Sequence, residues 1–227
     1  MERKLLLTDD GSHTILVPGT DITFHSRYGA IQESVHVFIE AGLKYIMNVT
    51  PGPLRIFEMG FGTGLNALLT SLEVFDEQRP VTYKSIDAFP LEPVLMQQLN
   101  HASLINDNSA QVFDTRIREA SWNQQVQINE YFTLEKVETT LEQAVIDTTY
   151  HLVYFDAFSP TDQPELWSFE SFRKIFDMLL PGGVLTTYCS RSAVRRTMSE
   201  AGFKVEKIPG PRGKREMVRA HKRGPIE

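Results

Sequence analysis

The stretch FEMGFGTGLN, residues 57–66, decides the fold, because it joins two segments of different periodicity through three glycines at alternate positions. Upstream, LRIFEM (54–59) is apolar and β-prone, while downstream LNALLTSLEVF (65–75) repeats its apolar residues at helical spacing. A strand, a tight turn and a helix N-terminus result. Glycine at 60, 62 and 64 lets the chain turn sharply and brings backbone N–H groups close to a bound ligand. The dinucleotide fingerprint, however, asks for GxGxxG and a pyrophosphate at the helix start. Here the pattern is GxGxG, preceded by the acid Glu58. A carboxylate in that place suits a cationic or hydroxyl-bearing ligand better than a pyrophosphate.

The combination resembles the nucleotide loop of S-adenosylmethionine-dependent methyltransferases of Rossmann-like fold. The resemblance implies that the amino acid end of the cofactor lies over Glu58, Gly60, Phe61, Gly62, Thr63, Gly64 and Asn66. Taken alone, the loop leaves open another nucleotide site or a purely structural turn.

Working outward, strands alternate with helices. VTYKSIDAF (81–89) reads as a second core strand, 91–104 as a helix, and 111–145 as a region holding the strand YFTLEKVE and a helix opened by TTLEQAV. HLVYFDAF (151–158) is an apolar strand ending in an acid, and SFESFRKIFDMLL is a helix stopped by PGG at 181–183. VLTTYC (184–189), the helix SAVRRTMSEAG and a pair of strands, FKVEKI and EMVRA, complete the pattern. The expected class is α/β, a doubly wound Rossmann-like sheet. Before it, residues 5–28 read as short strands with turns at Asp10-Gly11 and Pro18-Gly19, and 33–47 as a helix around Gly42. The expected organisation is therefore a small N-terminal β/helical extension, 1–50, packed on a methyltransferase core, 51–227.

A chain of 227 residues can bury one sizeable core without staples, and its single cysteine, Cys189, allows no internal disulfide. No apolar run reaches the length of a membrane span, and MERKLLLTDD lacks the features of a secretory signal, so a cytoplasmic protein with no membrane partner is expected. The net charge of −6 argues against a general nucleic-acid binder, but its distribution is uneven. Residues 189–227 hold 11 Lys and Arg against 4 Asp and Glu, whereas the preceding 188 hold 12 against 25. Such a basic end is either a solvated tail or a localised phosphate-binding surface.

Glu58, Asp87 and Asp156 fall at or near strand ends, where ligands sit in such folds, and Glu138 follows the YFTLEKV strand. Asp87 can accept two ribose hydroxyls, Glu138 can approach an adenine amino group, and Asp156 is costly to place at the end of an apolar strand unless something pairs with it. If the nucleophile is an amine, Asp156 can orient it and receive its proton. Phe158 and Pro160 beside it are able to wall a pocket for a flat ring. His25 and His36 form no metal-ligand cluster with the lone cysteine, and methyl transfer from a sulfonium to an amine needs no metal.

The blocks TDDGS (8–12), FHSRYGAIQESVHVFIEAGL (24–43), FEMGFGTGLNALL (57–69), YFDAFSPTDQPELW (154–167) and AVRRTMSEAGFKVEKIPGPRGKREMVRA (193–220) span almost the whole chain. In order and wording they resemble the methyltransferase portion of the bifunctional transfer-RNA wobble-uridine enzymes of the MnmC family, especially their stand-alone, MnmD-like relatives. That resemblance implies methylation of the exocyclic amine of 5-aminomethyl-2-thiouridine, with S-adenosylmethionine as donor and Asp156 as acid–base residue. It further implies that Glu33 and Trp167 help form the active-site side. The flavin oxidoreductase part of the bifunctional relatives has no counterpart in these residues, so no flavin is expected. Asp87 stands where the bifunctional form carries a glutamate, a change of reach rather than of charge.

With RNA as substrate, the basic end acquires a use. Arg191, Arg195 and Arg196 surround a helix start, and Arg212, Lys214 and Arg215 occupy the loop PGPRGKREM, from which they could hold the phosphates of an anticodon stem-loop. A splayed wobble base would stack near Phe158 or Trp167. The alternative is a small-molecule amine methyltransferase with the same loop and Asp156.

Overall fold

The computed structural model describes residues 3–224; residues 1–2 and 225–227, at the outer ends of the two expected segments, lie outside the described residues. β3 (Leu54–Met59) is the centre of an eight-stranded sheet because it is buried on both faces, a condition its near-continuous apolar sequence satisfies. It pairs in parallel with β4 (Val81–Asp87) on one side and with β7 (Tyr150–Phe155) on the other. From β3 the chain passes through α3 (Leu65–Asp76) to β4. It continues through α4 (Pro93–Met96), α5 (His101–Leu104) and α6 (Ala110–Glu119) to the hairpin of β5 (Gln124–Asn129) and β6 (Phe132–Glu138). It then returns across β3 to β7, and α7 (Phe169–Met178) leads to β8 (Leu179–Thr187).

Beyond β8, α8 (Ser192–Glu200) leads to β9 (Lys204–Pro209), and β10 (Glu216–His221) inserts antiparallel between β8 and β9. The order is β5-β6-β4-β3-β7-β8-β10-β9, so the order in which the parallel strands are laid down reverses between β3 and β7. A crevice opens at that reversal beyond the carboxyl ends of both strands. Asp156 after β7 lines it, whereas Glu58 on β3 is wholly buried and outside its lining.

Alternate residues of β7 divide the core. Leu152 and Tyr154 join the cluster beneath α3 and α6, whereas Val153 and Phe155 join the cluster with Phe172, Ile175 and Met198 from α7 and α8. The N-terminal helix covers the first face as three continuous pieces: α1 (Ala30–Ser34), a run of wider π-type turns over Val35–Lys44, and α2 (Tyr45–Val49). A side chain at Gly42 would press to 3.1 Å from Thr186 and 3.2 Å from Tyr154, so glycine there lets the helix approach β7 and β8. Outside this sheet, β1 (Lys4–Leu7) and β2 (His13–Leu16) form the separate two-stranded structure expected near the N-terminus.

Several sequence expectations are corrected. TTLEQAV forms one helical turn that does not propagate; Lys174 caps it by donating to the carbonyls of Glu142 and Ala144. The helix expected over 91–104 is two short pieces, and Asn100 between them uses its side chain to grip the N-terminal strands at His13 N–H and the Gly11 carbonyl. PGG does not separate helix from strand, because β8 begins at Leu179 and passes through it with a register shift against β7. Ahead of YFTLEKVE, where the sequence reading expects no helix, Ala110–Glu119 forms α6.

Candidate active site

At the end of β3 the chain enters the glycine turn, where Gly60, Gly62 and Gly64 have φ of +94°, +50° and +73°. Their N–H groups are already committed: Gly60 donates to the Ile86 carbonyl, Gly64 to the Phe61 carbonyl, and Gly62 to Asp87 Oδ2 at 2.9 Å. A turn with those donors occupied is poorly equipped to cradle a pyrophosphate. The second oxygen of Asp87 accepts from Phe89 N–H, leaving each carboxylate oxygen a further lone pair for a hydroxyl donor.

Asn66, in the first turn of α3, connects the other two acids. Its Nδ2 donates to Glu58 Oε1 at 3.0 Å and to Asp156 Oδ2 at 2.9 Å, and Ser85 donates to Glu58 Oε2 at 2.6 Å. Two carboxylates share one amide, Glu58 wholly buried and Asp156 at the cavity wall. Burial pushes Glu58 up to about 8, with the nearby Asp156 charge adding to the effect. Burial and then the Glu33 carboxylate push Asp156 up to about 7.

The roof is the N-terminal segment. Arg3, Val17, Phe24 and His25 line the same cavity as Met59, the glycine turn, Asp87, Asp156 and Phe158. Phe24 packs edge-on against Phe158 with centroids 5.1 Å apart, and His25 Nε2 hydrogen-bonds Thr63 Oγ1 at 2.8 Å. His25 is buried, which lowers it to about 4 and keeps the ring neutral near pH 7. Sequence reasoning identified the short strands here and missed that the residues flanking them cover the cavity, since contacts between residues 24–25 and 62–63 leave no local pattern. Among the described residues, no group of three or more His, Cys, Asp or Glu is placed to hold a metal.

The remaining expected residues divide. Phe158 faces the cavity, but Trp167 does not: its indole is buried against Phe155, Phe172 and Tyr188, and its Nε1 donates to the Phe158 carbonyl at 2.8 Å. Its geometry bears on the position of Phe158 and offers no face to a base. Glu138 ends β6 in register with Asp87, exposed and outside the cavity lining. Glu33 is buried, accepting from Ser26 N–H and ion-paired to Lys214. Lys214 therefore turns inward, away from the phosphate-facing position expected for it. Arg191, Arg196, Arg212 and Arg215 are exposed at the end of the sheet that carries the cavity, and Arg191 donates to Thr161 on the loop after Asp156. Arg195 is half-buried and bonded to the Ser190 carbonyl.

The profile of a family of S-adenosyl-L-methionine-dependent methyltransferases matches residues 103–223, more than half of the chain. The chain is a member of that family. An apolar cavity with carboxylates at its base and no free pyrophosphate cradle fits the family's cofactor, a sulfonium cation with an amino group and ribose hydroxyls.

Similar to this methyltransferase are the proteins called "tRNA 5-methylaminomethyl-2-thiouridine biosynthesis bifunctional protein MnmC". That of Pseudomonas fluorescens is 29% identical over 88% of this chain and 32% of the relative, and that of Cupriavidus metallidurans 31% identical over 94% and 33%. The chain thus spans about a third of the length of the curated relatives it matches. Two solved structures share its fold. MNMC2 from Aquifex aeolicus superposes with a TM-score of 0.80 at 21% identity, covering 99% of this chain and 71% of that one. The spermidine synthase of Thermotoga maritima gives 0.58 at 14%, covering 97% and 69%.

Proposed function

We propose that this methyltransferase transfers a methyl group to the exocyclic amine of 5-aminomethyl-2-thiouridine at the wobble position of transfer RNA, giving 5-methylaminomethyl-2-thiouridine. The observation that carries the reading is Asp156: a carboxylate held by Asn66 beside the glycine turn, in a cavity whose wall Phe158 supplies. The similarity to MnmC proteins supplies the substrate class.

S-adenosylmethionine bound there supplies an electrophilic methyl, which the amine lone pair takes up as the carbon–sulfur electron pair leaves with sulfur. Asp87 would take the ribose hydroxyls, while the glycine turn and Glu58 would lie beneath the amino acid end. Asp156 anchors the incoming ammonium and accepts its proton. Moving a proton from an alkylammonium of pKa about 10 to an ordinary aspartate costs about 8 kcal/mol, but to an acid near 7 only about 4 kcal/mol. Burial of Asp156 therefore favours release of the reactive amine. Arg191, Arg196, Arg212 and Arg215 would hold phosphates of the anticodon stem-loop around the opening. Residues 1–50 serve in this reading as the extension that roofs the core of 51–227.

Methyl incorporation from labelled S-adenosylmethionine into aminomethyl-containing transfer RNA, read by mass analysis of the digested nucleosides, tests the proposal. A one-methyl gain on the aminomethyl uridine is expected. No gain from a confirmed substrate pool, with cofactor binding measurable, would transfer the reading to a small-molecule amine substrate.

A further inference from the structure

The loop between β9 and β10 reaches the site through one inward side chain. Gly213, with φ +86°, lies so close to Tyr28 that a Cβ would come within 2.3 Å of the ring, and Arg212 approaches Asp9 at 3.7 Å. His36 Nε2 and the Pro209 carbonyl add a contact of 2.8 Å at the start of the loop. Thus the loop meets the N-terminal segment at three places, with the Tyr28 and His36 contacts the close ones. Lys214 is directed inward between them, where its ammonium pairs with Glu33 and sits 4.0 Å from the centroid of Tyr188. The Tyr188 hydroxyl in turn donates to the Ala157 carbonyl at 2.8 Å, one residue beyond Asp156.

We propose that Lys214, held between Glu33 and Tyr188, is a positioning residue that sets the charge state of Asp156. The charged and titratable groups that act on Asp156 come from four places: Glu33 from α1, its partner Lys214 from the β9–β10 loop, Tyr188 from the end of β8, which bonds the carbonyl of the next residue, and Glu58, linked to Asp156 through Asn66. Glu33 opposes ionisation of Asp156 and Lys214 favours it. Tyr188 stays neutral near pH 7, because burial holds its hydroxyl well above the ordinary range. An unpaired Glu33 would leave a buried negative charge beside Asp156; Lys214 compensates it. Although sequence reasoning assigned Lys214 to RNA, its geometry gives it an electrostatic part inside the protein.

The inference rests on Asp156 as the acid–base residue, but its test needs no substrate. Carbon-13 NMR of labelled aspartate carboxyls, with the resonance assigned by Asp156→Asn, follows Asp156 directly in the free 227-residue chain. Lys214→Met should raise its midpoint by about half a unit to one unit, Glu33→Gln should lower it by a similar amount, and the double variant should return near the wild type. Lys214→Arg should preserve the midpoint. A folded Lys214→Met protein whose midpoint stays within about 0.2 units of wild type would overturn the proposal, as would failure of the double variant to compensate. If the midpoint moves as expected while the pH dependence of methyl transfer does not, the electrostatic role stands and the acid–base reading of Asp156 fails.

Discussion

The backbone carbonyl of Asp156 lies 2.8 Å from the position that a Cβ on residue 60 would occupy. The Asp156 N–H also donates to the Met59 carbonyl at 3.0 Å, so the turn after β7 and the glycine turn after β3 are one packed unit. Any atom added at Gly60 moves the acid. Gly60→Ala combines that clash with φ +94° and is expected to destabilise the fold by roughly 3 kcal/mol. Gly182→Ala is the control, for its φ is +83° but no atom lies within 4 Å of the added methyl. Strain alone should cost it roughly 1 kcal/mol. Urea unfolding separates the two, and calorimetric titration with S-adenosylmethionine should show weakened binding for the Gly60 variant alone.

Asp156→Asn keeps the shape of the turn while removing the proton acceptor. Rotation of the new amide lets its oxygen accept from Asn66 Nδ2 as Asp156 does now. Single-turnover methyl transfer should fall by roughly 10²- to 10⁴-fold, with the Kd for S-adenosylmethionine changed only slightly. Turnover equal to that of the wild type would remove Asp156 from the chemistry.

Stability should fall as pH rises through the neutral range. Glu58 and Asp156 are raised from 4.5 and 3.8 to about 8 and about 7, so the folded chain retains their protons after the unfolded chain has lost them. Their stabilisation is complete below the unfolded values and is lost as pH climbs through the folded ones. His25 and His101, lowered to about 4 and about 3, act oppositely below pH 6.5 and are neutral in both states above it. Between pH 6.5 and 8, Glu58 dominates the remaining slope, worth about 2 kcal/mol. Denaturant midpoints measured across that window should decline for the wild type and flatten for Glu58→Gln; equal slopes would contradict the assignment.

The alternation of strands and helices was legible because both have local signatures, and the glycine turn marked the end of β3 correctly. Features decided by distant contacts were not. Nothing near TTLEQAV signals that Lys174, about thirty positions away, terminates its single turn. Strand ends bring Glu58, Asp87 and Asp156 to one end of the sheet, but the joining of Glu58 to Asp156 by Asn66 required α3 to pack in three dimensions. Trp167 beside a presumed pocket reads as a stacking platform in one dimension; the fold turns its ring into the core. Lys214 reads like its neighbours Arg212 and Arg215, and only the buried Glu33 distinguishes it.

Those two neighbours provide a separable test of the RNA surface. Arg212 and Arg215 are exposed, and the contact of Arg212 with the exposed Asp9 is long enough to contribute little stability. Alanine at either position should leave thermal unfolding unchanged. If each guanidinium neutralises one phosphate, each substitution releases one fewer counterion on binding, and the slope of log K against log salt should become shallower by about one. KM for transfer RNA should rise while kcat stays near the wild-type value, because neither side chain reaches the cavity that holds Asp156. Binding of unmodified transfer RNA across a salt series measures the slope without requiring catalysis. A slope and a KM that both ignore the two substitutions would exclude this loop from the RNA contact, whereas a loss of kcat at constant KM would place its effect on the chemistry.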